Sequence, residues 1–307
     1  MKEAVPSRPP LTPRHWPGWL AVGLLWLLGR APRRLGFALA GPLGWLAGRL
    51  MKGRRRVAQR NIERCFPELG AVARETLVDA CFRSMGRMPF EIAWSWSASN
   101  KRLRRMGHCE GLSAASAAFA DGRGVLLISA HFSCLEIGGR LAALELPRAA
   151  GVVYRPLRSP VLEWYQNRGR ARYAEARISK RDMRSAIRYL RNGGVLWYAP
   201  DQDFGPRQSE FVPFFSIPAA TLTATLRLVE LTGCHVVPMF PRYDATTRQY
   251  IVHFRPPLKD FPTGDSLADL GRLNAMLEEQ VREAPEQYWW IHRRFKTRPE
   301  GEPPFYD

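Results

Sequence analysis

The sequence predicts an α/β fold: a mixed, largely parallel central sheet flanked by helices, with an N-terminal helical membrane anchor. Three observations predict it. From residue 120 onward, short runs rich in β-branched residues alternate with stretches of helical periodicity. One run, VLLISA at 125–130, stops abruptly on His131 and gives way to a helical pattern. Residues 16–50, by contrast, are largely apolar and Trp-bearing, and a basic cluster follows them at once.

The first 15 residues are Pro-rich and polar and read as extended chain. WPGWLAVGLLWLLG (16–29) carries Trp16, Trp19 and Trp26, and a second apolar stretch runs from Leu35 to Leu50. Neither reaches the ~20 apolar residues of a standard membrane span, and no small-residue cleavage site follows to mark a signal peptide. Next come Lys52, Arg54, Arg55, Arg56, Arg60 and Arg64, with Glu63 the one acid among them. Trp at headgroup level and Arg facing an anionic leaflet together describe a membrane-bound segment. A single anchoring helix around 16–36 is expected, although a buried helical hairpin would also fit. Residues 1–50 then form the tail and anchor, and 51–307 the catalytic domain.

From 70 to 110 the pattern is helical, with Leu77, Cys81, Met85 and Met88 at helical spacing. Strands are expected at 125–130, 150–155, 195–200, 234–240 and 250–254, and helices at 134–145, 160–173, 181–191 and 219–232. Gly193-Gly194 supplies a stop before the third strand. The apolar FVPFFSIPAATLTATLRL reads as a core helix with its entry loop, or as the lining of a lipid channel.

The formal net charge is +18, and only six of the 46 basic residues are Lys. That excess calls for an anionic partner. No helix-turn-helix, zinc-finger or RNP-like signature accompanies it, so a nucleic-acid partner is not expected. Cys65, Cys81, Cys109, Cys134 and Cys234 show no CxxC spacing and no disulfide framework. A metal at His131, Cys134 and Glu136 would lack further ligands, so neither metal nor cofactor is expected.

His131 stands where open α/β sheets place their chemistry, at the C-terminal edge of a strand. A histidine there can act as general base near neutral pH. Glu136, five residues on, is expected to reach back and orient it. Three more segments leave strand ends on the same side. One carries Arg155, Arg168, Arg170 and Arg172, the second Asp201 and Asp203, and the third Arg293, Arg294, Lys296 and Arg298. Arginine forks suit phosphate. Asp201 is expected to hold an arginine or accept a bond from a substrate hydroxyl, and Asp203 either does the same or caps its loop.

Taken together, AHFSCLEIGGR, GVVYRPLRSPVLEWYQNRGR, LWYAPDQDFGPRQSEFVPFF and APEQYWWIHRRFKTRPEG resemble the lipid A biosynthesis acyltransferases, in particular the late, Kdo-dependent lauroyltransferase branch. The resemblance runs from about Trp16 to the C-terminus. It implies an inner-membrane enzyme facing the cytoplasm, which moves a fatty acyl group from acyl carrier protein to a hydroxyacyl chain of a phosphorylated lipid A precursor. The family's H-x-x-x-x-[DE] motif falls on His131 and Glu136, and its further important Arg and Asp on Arg170 and Asp201. Cys134 is no requirement of that motif, so no covalent acyl-enzyme is expected. A myristoyl-type branch, an acyl-CoA-dependent glycolipid acyltransferase and a non-catalytic lipid-binding protein of the same fold are the competing readings.

Overall fold

A proline breaks the expected anchor in two. The computed structural model describes residues 9–306, so the first eight residues of the Pro-rich tail lie outside the described residues. In place of one helix over 16–36 there are α1 (Trp16–Arg30) and α2 (Arg33–Leu50). Ala31 precedes Pro32 and is pushed to extended backbone, which ends α1. Among the described residues no helix is long and apolar enough to cross a membrane. Instead, Trp16, Leu20, Leu24 and Leu27 on α1, and Leu35, Leu39, Leu43, Leu46 and Leu50 on α2, form two exposed apolar stripes at helical spacing.

The other faces of both helices pack on a long helix. After α3 (Lys52–Cys65) comes α4 (Ala71–Ser97). A Cβ at Gly44 would overlap the backbone of Phe82, and one at Gly86 that of Ala40. Glycine at these two crossings therefore lets α2 and α4 meet backbone to backbone. Trp94 of α4 donates its indole N–H to the Ala31 carbonyl at the α1–α2 break (3.2 Å).

Alternating elements follow: α5 (Asn100–Arg104), β1 (Gly107–Glu110), α6 (Ser116–Ala120), β2 (Val125–Ile128), α7 (Leu135–Ala142) and β3 (Ala150–Tyr154). Then come α8 (Pro160–Arg170), β4 (Ala174–Ser179), α9 (Met183–Arg191) and β5 (Val195–Tyr198). The chain closes with β6 (Ser209–Phe214), β7 (Ile217–Leu222), α10 (Ala224–Thr232), β8 (His235–Asp244), β9 (Gln249–Phe254) and α11 (Ser266–Glu283). The helix starts have local causes: Ser159, Asp182 and Asp265 accept from backbone N–H groups at the starts of α8, α9 and α11, and Pro160 opens α8.

The main sheet runs in the order β1-β9-β8-β2-β5-β3-β4. Strands β8, β2, β5, β3 and β4 are parallel, whereas β9 returns antiparallel to β8 with β1 parallel beside it. The sheet is mixed and largely parallel, as expected. Every residue of β2 is buried, as a strand covered on both faces requires.

Several elements depart from expectation. β1 falls at the end of the stretch expected to be helical, and β4 was not anticipated; both read Gly- or Ala- and charge-rich and lie at the sheet's edges. α11 was not anticipated either. The helix expected over 219–232 is only α10, and the preceding apolar stretch is the antiparallel hairpin β6–β7. Its turn is made by Phe215 and Ser216, both at positive φ. The turn thus has the geometry that Asn-Gly usually announces, without that sequence signal.

Candidate active site

Strands β2 and β5 are neighbours, so the loops leaving their C-terminal ends run side by side. His131 lies in the first loop and Asp201 in the second. His131 Nδ1–H donates to Asp201 Oδ1 at 2.5 Å, and the backbone N–H of His131 donates to Asp201 Oδ2 at 2.9 Å. An ionised carboxylate can only accept, so the proton sits on Nδ1 and Nε2 carries the lone pair. The imidazole is about one-third exposed, while Asp201 is buried. Burial works against the charged imidazolium, but the charge and hydrogen bond of Asp201 outweigh it and hold the His131 pKa above its ordinary value. Burial likewise opposes ionisation of Asp201, yet the His131 partner holds its carboxyl below the usual range.

Glu136 is not the partner of His131. It lies in the first turn of α7, and its carboxylate is taken up on the other side. Arg170, at the end of α8, grips it with two prongs: Nε to Oε1 at 2.9 Å and Nη2 to Oε2 at 2.5 Å. Tyr173 and Trp96 each donate to Oε1 at 2.6 Å. Burial would raise the carboxyl's pKa, but the Arg170 guanidinium and these donors keep it below the ordinary value. The remaining nitrogen of Arg170, Nη1, is buried and makes no hydrogen bond among the described residues.

A cavity of about 280 Å³ opens between these groups, bounded by His131, Glu136 and Arg170 on one side. Leu135, Val152, Trp197 and Phe204 supply apolar wall, and Arg155 and Lys180 bring positive charge. Lys180 lies over the Phe204 ring at 4.6 Å. Its pKa is lowered by desolvation and then by the nearby charges of Arg155, Arg181 and Lys296. Arg155 and Lys180 thus line the cavity, with Arg181 and Lys296 close enough to act on the Lys180 charge. Lys180 was missed in the sequence because it follows β4, itself unrecognised.

Apart from Arg294, which lies beside His131 and Asp201, the other expected residues are scattered. Arg168 stands on α8 near Trp164, away from the cavity. Buried Arg294 donates to the Ala220 carbonyl and to Thr221, and Arg298 donates to the Pro218 carbonyl, so both brace the β6–β7 hairpin. Arg293 lies over Tyr306. Asp203 accepts from the Gly205 and Thr297 N–H groups and the Thr297 hydroxyl, pinning the C-terminal segment, with Lys296 nearby at 3.8 Å. His292 was also overlooked: its Nε2 accepts from the Asp203 N–H at 3.2 Å, and burial lowers its pKa to about 4. It lies beside His131 and Asp201 as a neutral ring. Cys134 is buried, and burial pushes its thiol well up, out of the nucleophilic range.

At the N-terminus, Trp16 and Trp26 are exposed, as is Trp45, which the sequence reading passed over. Trp19 turns inward instead, donating to the Pro10 carbonyl and packing on Trp164 at 5.7 Å. Arg54 reaches the Ile291 carbonyl, and Arg55 pairs with Glu75 and Asp79, while Arg56 stays exposed. Among the described residues no group of acidic, His and Cys side chains is arranged to hold a metal.

Comparison with known proteins agrees in kind. Residues 7–297 match the family described as bacterial lipid A biosynthesis acyltransferase. The chain is 38% identical over 297 residues to the lipid A biosynthesis lauroyltransferase of Escherichia coli (strain K12), covering 96% of each chain. It is 36% identical to the palmitoleoyltransferase of that organism, over 98% of this chain and 97% of the relative. The corresponding myristoyltransferase is 32% identical, over 94% and 90%.

Proposed function

The chain belongs to the bacterial lipid A biosynthesis acyltransferases, and we propose that within this family it is a lauroyl-type enzyme taking its acyl group from acyl carrier protein. The acceptor is a hydroxyacyl chain of a phosphorylated, Kdo-bearing lipid A precursor. The observation that carries this reading is the His131–Asp201 pair, its Nε2 lone pair at a cavity that is part apolar and part cationic.

His131 Nε2 takes the proton of the acceptor hydroxyl as its oxygen attacks the thioester carbonyl carbon. Asp201 holds the tautomer and stabilises the imidazolium that forms. The carbonyl oxygen gains negative charge, and the unpartnered Nη1 of Arg170 is the donor suited to it. The N–H groups of His131, Phe132, Ser133 and Leu135 are already engaged within the protein. The tetrahedral intermediate then collapses, the C–S bond breaks, and the imidazolium returns its proton to the departing thiolate. An ester and a free thiol result, with no metal and no acyl-enzyme. Glu136 acts by fixing Arg170, a positioning role.

The cations Arg155, Lys180, Arg181 and Lys296 suit phosphate, Kdo carboxylates or an acidic carrier protein. The apolar stripes of α1 and α2, with Trp16, Trp26 and Trp45 exposed, suit a helical pair lying in the surface of the inner membrane on its cytoplasmic side. Lys52 and Arg56, exposed just beyond α2, would meet anionic headgroups.

Mass spectrometry of lipid A from a deletion strain, and from that strain complemented with His131→Ala, tests the reading. A single missing lauroyl group in both supports it. Unchanged lipid A in the deletion strain overturns it.

A further inference from the structure

Behind the catalytic cavity, between α7 and the sheet, lies a second, small crevice with room for about one water, some 20 Å³. Its walls include Leu127, Ala142, Ala143, Leu146, Ala150 and Ala174, and no charged side chain lines it. The two spaces share Val152 and Trp197, which stand opposite each other on paired strands β3 and β5. Trp197 is therefore the partition.

Two details set this partition apart from ordinary core. The indole lies so close to α7 that a Cβ at Gly139 would overlap its ring, so this placement requires glycine at 139. The indole Nε1 is buried and has no hydrogen-bond partner among the described residues, whereas a buried Trp normally finds one. Packing alone holds the ring, and no hydrogen bond has to break for it to turn. The walls beyond it are largely small residues, so removing the ring would join the crevice to the catalytic cavity.

We propose that Trp197, standing between the catalytic cavity and this crevice, sets the length of the transferred acyl chain. The proposal rests on the acyl-transfer reading above. A chain whose thioester is held at His131 runs inward past Leu135 and Val152 and meets the indole face. With the ring as found, the chain ends against it; with the ring removed, the two spaces join and a longer chain fits.

The test uses the full-length enzyme with acyl carrier protein donors carrying ten to sixteen carbons in competition. Trp197→Ala should raise the preference for the sixteen-carbon over the twelve-carbon chain by about tenfold or more. Trp197→Met, which keeps most of the packing, should shift it partway. Adding Ala143→Leu to Trp197→Ala, which refills the crevice, should restore the shorter chain. An unchanged profile in folded Trp197→Ala or Trp197→Met, or no reversal by Ala143→Leu, overturns the proposal. Direct calorimetric binding of dodecanoate and hexadecanoate reads the crevice without turnover. Absence of transfer by the wild type, with binding that still follows residue 197, would sink the function and spare the crevice. Normal transfer with an unaltered chain profile would do the reverse.

Discussion

His131 and Asp201 each stand three residues beyond a register pair, Ile128 and Tyr198, on the adjacent parallel strands β2 and β5. The sheet thus delivers base and carboxylate to the same height, and the two hydrogen bonds from His131 to Asp201 fix both the ring and the loop that carries it.

This pairing sets the pH dependence. A base must be neutral to act, and His131 is held above its ordinary value, so kcat/KM should rise through a limb lying above about pH 6.5. Asp201→Asn removes the charge that raises it. The limb should move to lower pH while the plateau falls by about 10²–10⁴-fold. A pH–rate profile of both proteins checks this, and a limb that stays in place would assign it to another group.

Glu136 and Arg170 should report on stability as well as rate. Both side chains are nearly buried, so Glu136→Ala strands a guanidinium and Arg170→Ala strands a carboxylate. Each should cost about 3–5 kcal/mol in denaturant unfolding. Replacing both with methionine should cost less than either single change. Because the Glu136 pKa is depressed in the fold, its contribution is present above the unfolded value and is lost as pH falls through the folded one. Additive losses in the double variant would show that the pair is not coupled.

Cys134 should be dispensable for chemistry. Buried against Gln287 at 3.7 Å, its thiol is held protonated. Cys134→Ser should stay active and lose about 1 kcal/mol of stability. Peptide mass spectrometry after donor incubation without acceptor should find no acylated Cys134; a kinetically competent acyl-Cys134 peptide would establish a ping-pong route instead.

Vesicle flotation separates the two contributions proposed for membrane binding. Lys52→Glu with Arg56→Glu should weaken binding to phosphatidylglycerol vesicles, by about 1 kcal/mol per cation removed, and the loss should fade with salt. Leu24→Ser with Leu39→Ser should weaken binding at every salt concentration. Arg55 is a poor choice for charge reversal, because its bonds to Glu75 and Asp79 tie α3 to α4. Equal salt sensitivity of both double variants would argue against this division.

Much of the sheet was legible because β2, β5 and β8 are continuous apolar runs, and periodicity detects such runs directly. The edge strands β1 and β4 lack that signal, and the Phe215-Ser216 turn lacks the usual residues of a tight hairpin. In the site, His131, Glu136, Arg170 and Asp201 do come together, but the partnerships were read from nearness in sequence. Five residues seemed to join His131 to Glu136, whereas strand order joins His131 to Asp201 across 70 residues. The lone arginines of the C-terminal segment looked like ligands because an unpaired cation in sequence does not reveal the carbonyls it will meet, as Arg294 meets Ala220.

The contact of Trp19 with Trp164 bears on how the enzyme would be fed. It seats α1 on α8, the helix that ends in Arg170. On a membrane, the depth at which α1 floats would then fix the height of the reacting cleft above the acyl chains. A glycolipid would arrive by gliding within the leaflet rather than by crossing water. Turnover would accordingly follow the mole fraction of acceptor in the surface, and diluting it with inert lipid would slow the enzyme even at constant bulk concentration.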